Sequence, residues 1–282
     1  MLTRRRKTIS GWAVAVLAVL LVSGPRSAVA EIIRISGTGG AIGTMRILGE
    51  AFRKSNPGIR VEILPGMGSS GAVRAVLAGR LDIGLSGRML KGEERAQDVI
   101  ETKYARTPFA FVVNSNLKMT GLTLEGLTAI YAGKRDWENG KRIRLVLRPQ
   151  ADSDIEVLKS MSPAMSAAVD IALRREGMIV ATTEQDAVDA IESVPGAFGG
   201  TTLSLVSSER RALRILALDG VVPSVRTMAD GSYPYSKTFF MVTKINPPAS
   251  VRRFIDFVRS PAGAAILAKN GQGAVREEGI FP

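Results

Sequence analysis

Three segments set glycines beside hydroxyl side chains at the point where an apolar strand hands over to the next element: Ser36-Gly37-Thr38-Gly39-Gly40, Gly66-Met67-Gly68-Ser69-Ser70-Gly71 and Ser86-Gly87-Arg88. Glycine lets a ligand approach the backbone closely, hydroxyls donate to oxygens, and a helix N-terminus offers unpaired amides with roughly half a positive charge. That combination suits a tetrahedral or carboxylate anion. Ser or Thr before a helix is also the commonest N-cap, so each loop alone has a plain structural reading. Two such loops in successive units point further, because parallel α/β sheets collect these loops at one edge, where ligands bind. Gly37, Thr38, Gly39, Ser69, Ser70, Gly71, Ser86 and Arg88 are therefore candidate ligand residues. Arg148, after the strand expected at Ile143 to Leu147, joins them, since a guanidinium grips an oxyanion with two parallel bonds. A nucleotide fits less well: Gly37 to Gly43 reads G-x-G-x-x-x-G, one residue off the dinucleotide fingerprint, and no Gly-Lys-Ser/Thr follows either loop.

The elements that must position these loops alternate short apolar strands with amphipathic helices, the pattern of an α/β fold with mostly parallel sheet. Strands are expected at Ile32 to Ser36, Arg60 to Leu64, Asp82 to Leu85, Phe109 to Val113 and Ile143 to Leu147, and helices at Ile42 to Lys54, Ser70 to Ala78 and Lys91 to Ile100. Further helices are expected at Leu124 to Tyr131, Ile155 to Lys159, Ala164 to Arg174, Glu184 to Glu192 and Ser250 to Arg259, with Pro261 opening another. Asn56-Pro57-Gly58, Asn139-Gly140 and Pro195-Gly196 punctuate the pattern, and no stretch reads as a free linker.

The chain has no histidine and no cysteine. This excludes the usual zinc or copper site, the Ser-His-Asp and Cys-His nucleophiles, and a histidine acid/base. A two-carboxylate glycosidase needs neither residue and stays open; no cofactor is expected.

Residues 1–30 read as an export signal. Arg4, Arg5, Arg6 and Lys7 precede an apolar run from Trp12 to Val22, and Ala28-Val29-Ala30 fits a cleavage site near Ala30. The run is well short of the ~20 residues of a spanning helix. Thr3-Arg4-Arg5 leaves the export route, general or twin-arginine, open. Removing the segment takes away five basic residues and no acidic one, so the formal charge falls from +12 to +7. The remaining basic residues are scattered and aromatics are few, so no nucleic-acid platform is expected.

These motifs together resemble the type 2 periplasmic substrate-binding proteins, within them the phosphate-binding component of bacterial phosphate uptake transporters. The resemblance rests on Gly37-Thr38-Gly39, Gly68-Ser69-Ser70-Gly71, Gly79 to Gly84, Thr107 to Val113, and Leu122-Thr123 through Tyr131-Ala132-Gly133, over nearly the whole mature chain. It implies two lobes, each a mostly parallel sheet flanked by helices, joined by a two-strand hinge. Phe109 to Val113 would be the outward crossover and Thr238 to Thr243 the return. Lobe I would comprise 31–112 plus 239–282 and lobe II 113–238, with the C-terminal helices packed on lobe I. Thr38, Ser70 and Ser86 would donate to a small oxyanion, phosphate, from lobe I, and Arg148 and Ser153 from lobe II. An ABC transporter permease would recognise the closed form, and the protein would be a periplasmic monomer and not an enzyme.

Two departures bear on the ligand. Relatives commonly carry an aspartate after the third strand's serine, to accept the proton of hydrogen phosphate; here that place is Gly87. The family's Arg-x-x-x-Ser-Gly-Thr is Arg148-Pro149-Gln150-Ala151-Asp152-Ser153-Asp154, in which Asp152 either replaces the missing acceptor or caps the next helix. An exported carboxylate enzyme would have Asp152 and Asp154 as its nearest acid pair. A ligand-free scaffold is the third reading.

Overall fold

The computed structural model describes residues 31–138 and 140–275, so residues 1–30, read above as an export signal, Asn139 of the expected Asn139-Gly140 turn and the last residues of the expected lobe I, 276–282, lie outside the described residues. The first half of the chain runs β1 (Glu31–Gly37), α1 (Gly39–Ser55), β2 (Ile59–Ile63), α2 (Gly68–Leu77), β3 (Ile83–Ser86), α3 (Gly92–Arg95) and β4 (Ile100–Asn114). It continues through β5 (Gly121–Leu122), α4 (Leu124–Ala132), β6 (Arg144–Leu147), α5 (Ser153–Ser160), α6 (Pro163–Arg174), β7 (Ile179–Val180), α7 (Glu184–Ser193), β8 (Ala197–Thr202) and α8 (Leu203–Ser208). The chain closes with β9 (Leu213–Leu218), α9 (Val225–Ala229), β10 (Ser236–Thr243), α10 (Ala249–Arg259), α11 (Pro261–Lys269) and β11 (Gly273–Ala274).

Local sequence explains the elements that carry the loops. In β1, Ile33 and Ile35 alternate inward, and in α1 Ile42, Met45, Leu48 and Phe52 recur at helical spacing on the buried face. Asn56 stops α1 by folding its amide back onto the Phe52 carbonyl at 3.0 Å, and Pro57 cannot continue the helix.

Strands β2, β1 and β3 are parallel, and β10 then β4 add antiparallel to that edge. Beyond Pro108, which has no amide to donate, β4 leaves β10 and pairs with β8 and β9, while β8, β6 and β7 continue in parallel. The long strand β4 thus belongs to two sheets at once. One core gathers Ile33, Ile35, Phe52, Ile83 and Phe239 with Phe254 of α10, whose ring meets Phe52 edge-on at 5.2 Å. The other gathers Phe109, Phe111, Leu145, Leu147, Met165 and Phe198. The C-terminal helices pack on the first core, as the resemblance implied.

Two expectations are corrected. The helix expected over Lys91 to Ile100 is only α3, and Ile100 already opens β4. Gly92-Glu93-Glu94-Arg95 has no buried residue to hold a longer helix, and Glu94 is drawn away to Arg88. The strand expected at Phe109 begins nine residues earlier because β10 pairs with the polar stretch from Ile100 to Thr107, which no hydrophobic pattern marks.

Candidate functional site

The glycine and hydroxyl loops meet the segment Arg148 to Asp154 across one cleft, at the carboxyl ends of β1, β2, β3 and β6. Gly37 is required by packing, since a Cβ there would lie 2.0 Å from the Leu85 carbonyl oxygen. Thr38 caps α1 in extended conformation, yet its hydroxyl turns from the helix and donates to Glu184 Oε1 at 2.9 Å. Gly39 faces the first turn of α7: a Cβ there would fall 2.7 Å from Glu184 Cβ, and its carbonyl accepts from Gln185 Nε2 at 3.2 Å.

In the second and third loops the hydroxyls serve the loops themselves. Ser69 Oγ accepts from the Gly87 amide at 2.9 Å, and Ser86 Oγ donates to the Arg88 carbonyl at 2.6 Å. Ser70 Oγ accepts from Arg88 Nη2 at 2.9 Å, and the space around Gly71 is taken by Met67. Arg88 forks onto Glu94 at 2.8 and 2.9 Å. That pairing holds the Glu94 carboxyl below its ordinary range and keeps the guanidinium charged.

From the other side, Arg148 is buried and donates to Asp152 Oδ2 at 2.6 Å and to the Ala181 carbonyl. Asp152 also accepts from the Asp154 amide at 2.9 Å, so in this conformation it caps α5. Ser153 stands opposite Gly87, its Oγ 3.0 Å from where a Cβ at Gly87 would lie.

The centre of the cleft holds residues that sequence reasoning did not single out. Lys237, from β10, is wholly buried and donates to Asp154 Oδ1 at 2.5 Å, to Glu184 Oε1 at 2.6 Å and to Thr38 Oγ1 at 3.3 Å. Its chain runs past Gly87, where a Cβ would come within 2.2 Å of Lys237 Cε. The glycine that stands where the resemblance implies an aspartate is thus the residue that leaves room for Lys237. Glu184 also corrects the expected acid pair: the buried carboxylates that converge here are Asp154 and Glu184, from different helices, rather than Asp152 and Asp154.

Two carboxylates share one ammonium, so the cluster is short of positive charge. Burial pushes Asp154 up to about 7; Lys237 opposes that shift, and Glu184 and Asp152 reinforce it. For Lys237 burial acts downward, but Asp154 and Glu184 outweigh it and its pKa is raised. Folding therefore takes up a proton at Asp154 between its ordinary carboxyl pKa and about 7, and stability falls as pH rises through that window. Unfolding of the mature protein followed from pH 5 to pH 8 is expected to show a decline of up to ~3 kcal/mol that Asp154→Asn removes. An unchanged slope in the variant would locate the proton elsewhere.

A cavity of about 600 Å³ opens from this cluster, lined by Gly87, Arg88, Lys103, Ser153 and Lys237 among others. A larger one, about 870 Å³, lies between α4 and the β5 region and contains none of the expected ligand residues.

The PBP superfamily domain matches residues 23–262. The chain belongs to the PBP superfamily. It is similar to the phosphate-binding protein PstS of Borreliella burgdorferi, 24% identical over 250 residues that make up 84% of this chain and 89% of the relative. It is also similar to the phosphate-binding protein PstS of Bacillus subtilis, 25% identical over 233 residues, 80% of this chain and 74% of the relative. Among solved structures, a putative phosphate ABC transporter substrate-binding protein with bound phosphate from Clostridium perfringens superposes with a TM-score of 0.75 at 24% identity, covering 87% of this chain and all of that one. The phosphate-bound periplasmic protein PfluDING superposes at 0.66 with 14% identity, covering 86% and 90% of the two chains.

Proposed function

We propose that this protein is an extracytoplasmic solute-binding protein that captures a small oxyanion, phosphate first, between two closing lobes, for ABC-type import or for sensing. The observation that carries the reading is convergence: Thr38 at the start of α1 and Gly87 after β3 meet Glu184 and Ser153 of the other half across one cleft, with Arg148 beside Asp154, and Ser70 and Ser86 are proposed as further donors from the same loops. Parallel α/β sheets bind ligands at that edge, and the relatives named as phosphate-binding proteins span most of this chain. Lobe I is 31–112 plus 239–282 and lobe II 113–238, hinged where β4 and β10 run side by side up to Pro108 and Ser236. Closure brings Arg148 and Ser153 onto an anion first held by lobe I, and an ABC permease in the membrane reads the closed shape. The chain is exported by residues 1–30 with cleavage near Ala30 and works in the periplasm as a monomer without catalysis.

A carboxylate enzyme draws less support from the same geometry. Asp154 and Glu184 are buried and the Lys237 ammonium fills the space between them, whereas a glycosidase keeps a sugar between its two acids.

Thermal unfolding of the mature protein, stripped of anions by partial unfolding and dialysis, tests the reading. At a hundred times its dissociation constant phosphate is expected to add about 2.7 kcal/mol, a shift of several degrees at this size. Sulfate, molybdate and small carboxylates form the comparison. No shift with any tetrahedral anion would sink the assignment.

A further inference from the structure

The proposed anion seat at the start of α1 is filled by a carboxylate of the protein itself. Helix α1 runs for 17 residues and has no acidic residue in its first turn. The acid that complements its positive end comes from α7 instead: Glu184 accepts from the Thr38 hydroxyl at 2.9 Å and from the Lys237 ammonium at 2.6 Å, both through Oε1. Its other oxygen lies 2.7 Å from where a Cβ at Gly40 would stand, pressed against the glycines of the first loop. We infer that Glu184 is a tethered competitor for the oxyanion: it occupies the seat proposed for the ligand, clamps the two halves together, and must leave before an anion binds.

The chemistry of the seat supports this. A carboxylate and a phosphate ask for the same partners, a hydroxyl, an ammonium and a helix N-terminus. Glu184 is nevertheless a poor occupant. It is 3% exposed, and its Oε2 has no hydrogen-bond partner. Asp154 Oδ2 and Arg148 Nε likewise make no hydrogen bond and face each other only as a long ion pair at 3.8 Å. Burying polar atoms without partners is costly, so the self-closed state is poised for exchange rather than locked.

The clamp has further members at the same seam. Gln185 Nε2 reaches the Gly39 carbonyl at 3.2 Å, and Ser204 Oγ of α8 donates to the Gly40 carbonyl at 2.6 Å. Glycine at 39 and 40 is what admits the α7 turn, since a Cβ at Gly39 would come within 2.4 Å of Gln185 Oε1. A ligand that must displace a tethered group binds with an apparent affinity reduced by the fraction of open protein. Glu184 would thus set a threshold: an anion that cannot draw Lys237 and Thr38 away from it stays out.

The inference rests on the oxyanion reading for its competitive half, and the test separates the two. Because the chain has no cysteine, Met89→Cys and Ser160→Cys can be spin-labelled as a pair on the two sides of the cavity they line. Without anion the otherwise unaltered protein is expected to give the short, closed distance, and Glu184→Ala a long one that phosphate shortens. A short distance in anion-free Glu184→Ala would overturn the inference. Opening in Glu184→Ala that no tetrahedral anion reverses would uphold the clamp and overturn the phosphate reading. The isosteric Glu184→Gln guards against a folding defect. By calorimetry it is expected to bind phosphate at least about tenfold more tightly than the unaltered protein, and equal or weaker binding would overturn the competition.

Discussion

Lys237→Met is expected to cost about 3–5 kcal/mol of folding stability, because it leaves Asp154 and Glu184 buried with no cation between them. The two carboxylates are 1% and 2% exposed at their side chains, so water cannot take over the role of the ammonium. At this chain length such a loss lowers Tm by about 10 °C or more. The loss is expected to be greatest above pH 7, where Asp154 is ionised, and to shrink as acid neutralises it. Adding Asp154→Asn and Glu184→Gln to Lys237→Met is expected to restore most of the stability, since neutral groups need no counter-ion. A loss below about 1 kcal/mol, measured by urea unfolding, would show that the cleft hydrates when Lys237 is removed.

Arg148→Ala is expected to reduce phosphate binding at least about a hundredfold, equivalent to ~2.7 kcal/mol, because it removes the buried guanidinium that the second half places beside the cleft at the end of β6. The same change strips Asp152 of its 2.6 Å partner and loosens the cap of α5, so stability falls as well. Arg148→Lys separates the effects. It keeps a charge near Asp152 and so most of the stability, but a lysine cannot reproduce the guanidinium's paired donors, and binding is still expected to fall more than tenfold. If Arg148→Ala bound phosphate like the unaltered protein, the ligand would have to sit outside the cleft.

Much of the frame could be read from residues near one another in the chain. The strand at Ile32 to Ser36 and the helices at Ile42 to Lys54 and Ala164 to Arg174 each lie within the observed element, because apolar spacing and the stops at Asn56-Pro57 and Ser162-Pro163 are local signals. Strand β8 carries Gly199 and Gly200 and shows little apolar pattern, so its pairing with β4 and β6 is what makes it a strand. The loops that bear Thr38, Ser70 and Ser86 were legible for the same local reason. Lys237 left one trace: it shares a strand face with Phe239 and Met241, all buried, and a lysine at an inward position signals a paired charge. Glu184 left none, since an acid in the first turn of a helix behind the Thr183 cap is ordinary.

By itself the sequence determined the α/β alternation, the hydroxyl and glycine loops, the exclusion of histidine and cysteine chemistry, and a glycine at position 87, where the resemblance implies an aspartate. The tertiary structure alone decided what fills the space that Gly87 leaves. Lys237 meets Asp154 across 83 residues of chain, and Glu184 meets Thr38 across 146. Charge pairing at that separation depends on how two sheets meet along β4, and hydrophobic periodicity along the chain carries no information about it.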